Sequence, residues 1–232
     1  MQPKISILII AHNEASHIWE CLESISHQSI QSDEIICIAH NCTDRTVDIV
    51  RGYPKVKIYE LDSEAKWPIP ARSYGFEKCS GDIIACLDGD SYASDIWLES
   101  ITRPFENLAV NSVSWYPLLI GWRLFSYIFF LQWAPILRMV FDFYFWGANF
   151  ACRKKDYESV WWMTRCEQIN KELDLSYPAE DCILSFLLQE EWKLEFIRKA
   201  TSYVYPGKYF DGENRGNKQR EDLKKIRNYF WK

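Results

Sequence analysis

No uncharged run in this sequence reaches the ~20 apolar residues that a membrane-spanning helix needs. The longest, Asn107–Trp122 and Leu124–Leu137, are cut short by Arg123 and Arg138, and Pro135 further weakens a simple span. Histidine is scarce: all four residues lie before position 41, which excludes a histidine-rich metal cluster. The eight cysteines, at 21, 37, 42, 79, 86, 152, 166 and 182, include no C-x-x-C pair, and several sit inside apolar runs. They read as buried thiols in a reducing compartment, not as a zinc site or a disulfide framework. Positive charge is not in surplus either. With 27 Lys and Arg against 32 Asp and Glu the formal charge is −5, so no nucleic-acid partner is expected. The start lacks a secretory signal, since Met-Gln-Pro-Lys runs straight into Ile-Ser-Ile-Leu-Ile-Ile. The expected location is cytoplasmic, with the inner membrane face as a peripheral option.

What the chain does have is alternation. Ile5–Ala11 is almost wholly apolar and β-branched, as a doubly buried parallel strand should be. Ile18, Leu22 and Ile25 follow at helical spacing, predicting a helix over 15–26. Strands are expected over 34–39, 56–59 and 83–87, with helices between them: one capped by Thr43 and running to Arg51, one opened by Pro68-Ile69-Pro70 and running to Lys78. This pitch means βαβ units and a mostly parallel sheet flanked by helices, an α/β fold. Later expectations are a helix from Ile96 that Pro104 interrupts, strands near 110–115 and 147–153, a helix after Glu180-Asp181, and short strands at 194–197 and 201–205. The chain is expected to be a single domain, 1–232. It comprises a nucleotide-binding half (1–110), an acceptor-side half (111–207) with an aromatic insert at 115–146, and a basic tail (208–232) with eight Lys or Arg against four Asp or Glu.

The stretch on which this organisation turns is Ser80–Asp90. Ile83–Leu87 should be a buried strand whose carboxyl end delivers Asp88 and Asp90 into a crevice, where open α/β sheets bind their ligands. Two carboxylates one glycine apart can share a hard divalent cation, leaving positions for phosphate oxygens. An ordinary Asp-Gly turn is the alternative reading.

Six ordered segments resemble the nucleotide-sugar-dependent glycosyltransferases of family two, which have the GT-A fold. They are Ile7–Glu14 as the opening strand, Asn41–Thr46 as the second-strand turn, Lys66 with Ala71–Gly75, Asp88-Gly89-Asp90, Gly147–Arg153, and Glu180-Asp181. The resemblance implies an inverting transfer from a nucleoside diphosphate sugar of UDP, GDP or dTDP type to an acceptor hydroxyl, with Mn²⁺ or Mg²⁺. It implies Asp90 as the metal ligand and Asp88 on the ribose or the ion's water shell. Asp181 becomes the general base, and Glu180 orients its helix or touches the acceptor. Arg72 offers a planar fork to the diphosphate or base, and Lys66 adds charge near the nucleotide. Ala11 and Glu14, at the first strand end, lie near the nucleoside. Asn149 hydrogen-bonds the donor sugar or satisfies a buried strand end. The chain departs from the family where an Asp often reads the base: Ala39 and His40 stand there, leaving His40, Asp44 or a backbone group to do so. Ser73 likewise replaces a usual Asn.

Competing readings are a nucleotidyltransferase and a catalytically silent nucleotide-sugar-binding or scaffold protein. The first normally shows a Gly-rich basic loop after the first strand, which His12-Asn13-Glu14 is not. The aromatic stretch Trp115–Trp146 and the tail residues Lys218, Arg220, Lys224, Lys225 and Arg227 together suggest a membrane surface and a lipid-linked or other saccharide acceptor. Packing against the sheet or a homodimer contact is the alternative for the aromatic stretch.

Overall fold

The computed structural model describes residues 3–64, 68–114, 118–119, 148–159, 162–175, 180–189, 193–196, 200–204 and 213–230. Lys66 and the aromatic stretch, apart from 118–119, lie outside them, as do the side chains of Lys218 and Arg220.

Seven strands form one sheet. In chain order they are β1 (Ile5–Ala11), β2 (Glu34–His40), β3 (Val56–Leu61), β4 (Ile83–Asp88), β6 (Val110–Ser114), β8 (Asn149–Arg153) and β9 (Lys193–Phe196). Their spatial order is β3-β2-β1-β4-β8-β6-β9. The first four are mutually parallel, β8 runs antiparallel between β4 and β6, and β9 is parallel to β6. From β1 the chain winds outward through β2 and β3, then returns to place β4 on the other side of β1. The crevice at the carboxyl ends of β1 and β4 is therefore a topological switch point. A smaller sheet, β5 (Ser91–Ala93), β10 (Ser202–Val204) and β7 (Leu118–Leu119), lies just past the end of β4, in the order β5-β10-β7.

Alternate residues of the central strands feed two cores. Leu8, Ile10, Ile36, Ile38, Ile84 and Cys86 face one side; Ile7, Ile9, Cys37, Ile83, Ala85 and Leu87 face the other. The second side is covered by α1 (Ile18–Ser26), α2 (Thr46–Arg51) and α4 (Trp97–Thr102), which bury Ile18, Leu22, Val50, Trp97 and Leu98. The first is covered by α3 (Ile69–Lys78), α6 (Trp162–Glu172), α7 (Glu180–Gln189) and α8 (Glu213–Phe230). A short α5 (Lys154–Ser159) follows β8 directly. Gly75 allows α3 to lie flat on β1, because a Cβ there would sit 2.4 Å from Leu8 Cδ1.

The strands match expectation closely and the helix starts less so. α1 begins at Ile18, since the Glu14 carbonyl first takes the N–H groups of His17 and Ile18. α2 begins at Thr46 and not after Thr43, because the Asp44 carboxylate captures the Thr46 N–H and hydroxyl. Pro104 ends α4 in a 3-10 turn, Arg103–Glu106. The tail contains a helix, α8, which docks on α7 by stacking Phe230 on Phe186, 4.9 Å between centroids.

Candidate active site

Asp88 is the last residue of β4, and Gly89 turns the chain over the end of β1. The Gly89 N–H donates to the Ile10 carbonyl at 2.9 Å. A Cβ at Gly89 would lie 3.1 Å from both Ala11 Cβ and Ile18 Cδ1. The middle residue of Asp-Gly-Asp is thus held to glycine by close approach. Ala11 acts here through its small size. It is fully buried beneath Gly89 at the end of β1. Asp90 is nearly buried beside the Ser91 hydroxyl, 3.4 Å from its Oδ1.

Arg72, on α3, is the centre of charge. Its Nη2 lies 3.4 Å from Asp88 Oδ1, its Nε 3.5 Å from Glu180 Oε1, and its guanidinium 5.3 Å above the Phe150 ring. It is 2% exposed. Burial opposes its charge, but Asp88 and Glu180 outweigh that and keep it firmly protonated. The acids feel the reverse. Burial pushes Asp88 up to about 6, with Asp90 and Asp181 adding to it and Arg72 opposing. Burial and Asp181 push Glu180 up to about 8 against the same guanidinium. Asp181 is half-buried at the start of α7, where its Oδ1 accepts the Cys182 N–H at 2.8 Å. Asp88 and Asp90 from the first half of the chain therefore meet Glu180 and Asp181 from the second at one end of the sheet.

The ends of β1 and β2 are laced together. Asn13 and Asn41 adopt left-handed φ values of 55° and 46°, which asparagine tolerates better than most residues. Asn13 Oδ1 accepts the N–H groups of Thr43 and Asp44, and Asn41 exchanges hydrogen bonds with the Ser63 backbone. Asp44 accepts from Ala15 N–H, Thr46 N–H and Thr46 Oγ1; these bonds outweigh its burial and hold its carboxyl below the usual range. That use welds two loops. Glu14 is buried, with its N–H on Thr46 Oγ1. His40 is buried, and burial with His12 alongside lowers its pKa, so it is neutral at pH 7. His12 donates from Nδ1 to the His40 carbonyl at 2.8 Å.

Asn149 is wholly interior. Its Oδ1 accepts Trp97 Nε1–H and its Nδ2 donates to the Ala200 carbonyl, both at 2.8 Å. Both ends of its amide are engaged in satisfying a buried strand end. His12, Asn13 and Phe150 were not nominated from the sequence, although each lies inside a motif quoted above. Their roles depend on partners 28 or more residues away, and local spacing does not encode those.

Among the described residues, no three His, Cys, Asp or Glu side chains gather as a ready-made metal cage. Two aspartates plus substrate oxygens and water is the usual complement for Mg²⁺ at a phosphate site. The residues present fit such an ion, since Asp90 stands close enough to Asp88 to add to the burial that raises its pKa, even with Arg72 paired to Asp88.

The family model for glycosyl transferase family 2 matches residues 6–160, about two thirds of the chain. The chain belongs to this family. Glycosyltransferase AglE of Haloferax volcanii is 32% identical over 117 residues, 48% of this chain and 38% of AglE. Putative glycosyltransferase EpsH of Bacillus subtilis is 28% identical over 105 residues, 44% of this chain and 30% of EpsH. These alignments span well under half the length of either family 2 relative. A mannosyltransferase from Pyrobaculum calidifontis, solved with GDP-Man and Mn²⁺, superposes with a TM-score of 0.67 at 14% identity, over 97% of this chain and 63% of that one. TarS of S. aureus (residues 1–349) gives 0.62 at 16% identity, over 90% and 62%. At such identities the likeness establishes the GT-A architecture of this family 2 chain and nothing of its ligands.

Proposed function

We propose that this chain is an inverting, metal-dependent glycosyltransferase that moves a sugar from a nucleoside diphosphate sugar to an acceptor hydroxyl. The observation that carries the reading is the meeting of Asp88 and Asp90 with Glu180 and Asp181 at the switch point of the sheet. Asp90, with Asp88 on the ribose or the ion's water shell, would hold Mn²⁺ or Mg²⁺. When bound, the ion offsets charge on the diphosphate leaving group. Asp181 takes the proton from the acceptor hydroxyl; attack on the anomeric carbon from the face opposite the diphosphate inverts its configuration. Glu180 orients the start of α7. The neighbouring folds solved with GDP-Man and Mn²⁺ and with UDP-GlcNAc support a nucleotide-sugar donor of GDP or UDP type, with dTDP as the third class to test. Lys66 would add charge near the nucleotide, and His40, with His12 beside it, stands where the base would lie.

The acceptor is a saccharide, taken here to be lipid-linked or membrane-associated. That part rests on the aromatic composition of 115–146 and on exposed Lys224, Lys225 and Arg227 of α8. No described helix is long and apolar enough to cross a membrane. The test is a calorimetric panel of UDP, GDP and dTDP with and without Mn²⁺, on the wild type and Asp90→Ala. Metal-dependent binding of one diphosphate that Asp90→Ala abolishes is the expected result. Equal binding in the mutant would refute the metal assignment, and vesicle flotation checks the membrane part.

A further inference from the structure

We propose that Arg72 is a positioning residue: it holds the carboxylate at the end of β4 and the helix bearing the proposed base in one frame, and does not itself touch the donor. The inference rests on the glycosyltransferase reading above and changes what the sequence led us to expect of this arginine. The guanidinium is 2% exposed and closed in on three sides. Asp88 lies 3.4 Å from Nη2, Glu180 lies 3.5 Å from Nε, and the Phe150 ring lies beneath it at 5.3 Å. A diphosphate would have to displace Asp88 or Glu180 to reach it, and Glu180, buried inside the protein, would then lose the guanidinium beside it. The three neighbours come from β4, α7 and β8, which are far apart in sequence. Arg72 is thus where the first half of the chain grips the second, next to Asp181. Only a planar fork can face two acids along different edges at once; a lysine ammonium would serve one of them.

Arg72→Gln and Arg72→Lys test this. Binding of UDP, GDP and dTDP is measured by NMR titration in EDTA, where no metal contributes. Turnover is followed as nucleoside diphosphate released from the donor, with water as acceptor if no saccharide is to hand. A positioning role predicts metal-free affinity within threefold of wild type and turnover at least tenfold lower in both variants. It also predicts that the Arg72 Nε–H resonance of the wild type stays in place as diphosphate is added. Direct contact predicts the opposite pattern: metal-free affinity at least tenfold weaker and a displaced Nε–H signal, either of which overturns the proposal. A merely structural arginine predicts lower thermal stability with wild-type turnover per folded molecule, which overturns it too. Should Arg72→Gln fail to fold, Glu180→Ala carries the test, because it removes the group that faces Nε whatever its charge. It should lower turnover at least fivefold at unchanged diphosphate affinity, and wild-type turnover there would refute the role. A wild type that binds none of the three diphosphates even with Mn²⁺ sinks the glycosyltransferase reading itself. Binding by the wild type with altered metal-free affinity in Arg72→Gln sinks only the positioning role.

Discussion

Glu34 is a good place to test the electrostatic picture, because it sits at the amino end of the sheet, opposite the candidate site. Its side chain is 7% exposed and gathers four donors: Ser6 Oγ at 2.7 Å, Ser80 N–H at 2.6 Å, Ser80 Oγ at 2.9 Å and Lys57 Nζ at 3.0 Å. Burial alone would raise its pKa, but these donors outweigh it and bring the carboxyl from 4.5 to about 2. The depressed value means that the anion is favoured in the folded state. Its contribution is complete above the unfolded pKa of about 4.5 and is lost as pH falls toward 2. At ~1.4 kcal/mol per pH unit, this is about 3 kcal/mol at pH 7; discounting the exposed lysine leaves about 2 to 3. Glu34→Gln keeps the shape and one acceptor but loses the charge. At pH 7 its melting temperature should fall by about 4–12 °C, and by less than half of that at pH 3. Thermal unfolding monitored by circular dichroism at pH 7, 5, 4 and 3 gives the difference curve. High salt should remove only the small Lys57 share. A deficit of the same size at every pH would show that the site works by packing, and the reasoning would fail.

Further outcomes follow from other sites. Gly89→Ala places a methyl 3.1 Å from Ala11 and Ile18, so it should cost about 1–3 kcal/mol in denaturant unfolding and weaken metal-dependent nucleotide binding by displacing both aspartates. Gly75→Ala puts its methyl 2.4 Å from Leu8 Cδ1, and adding Leu8→Val should recover part of the lost stability, as a double-mutant cycle would show. Asp181→Asn should lower turnover about 10²- to 10⁴-fold while calorimetry finds nucleoside diphosphate affinity nearly unchanged. Phe230→Ala removes the ring stacked on Phe186 and should cost about 2–4 kcal/mol, seen as earlier proteolysis of α8.

The doubly buried strands were the most legible part. Ile7–Ala11, Ile36–Ala39 and Ile83–Leu87 are apolar on both faces, as strands of a sheet covered on both sides are. The aspartates at the end of β4 were legible for the same reason, being the first polar residues after such a run. Side chains whose roles are set by distant partners were not legible. Asn149 is occupied by Trp97 and Ala200, Asp44 by Ala15, and Arg72 by Glu180. The α2 boundary failed because Asp44 offered the Thr46 amide a local alternative to helix, and such competition is decided by fractions of a kcal/mol.

The placement of β8 between β4 and β6 has a consequence for the chain as it is being made. β1 to β4 can pair as soon as they are synthesised, but the far edge of β4 stays bare until Asn149–Arg153 arrive about 60 residues later. At ~5–20 residues per second the gap lasts ~3–12 s. For that interval a nascent chain presents an apolar strand with unsatisfied N–H and C=O groups, a surface on which a neighbouring nascent chain can dock. Polysome crowding, a rare-codon pause before residue 149, or a fragment ending short of it would all lengthen the exposure. Soluble yield should therefore respond to translation speed across this interval more than across any other part of the gene.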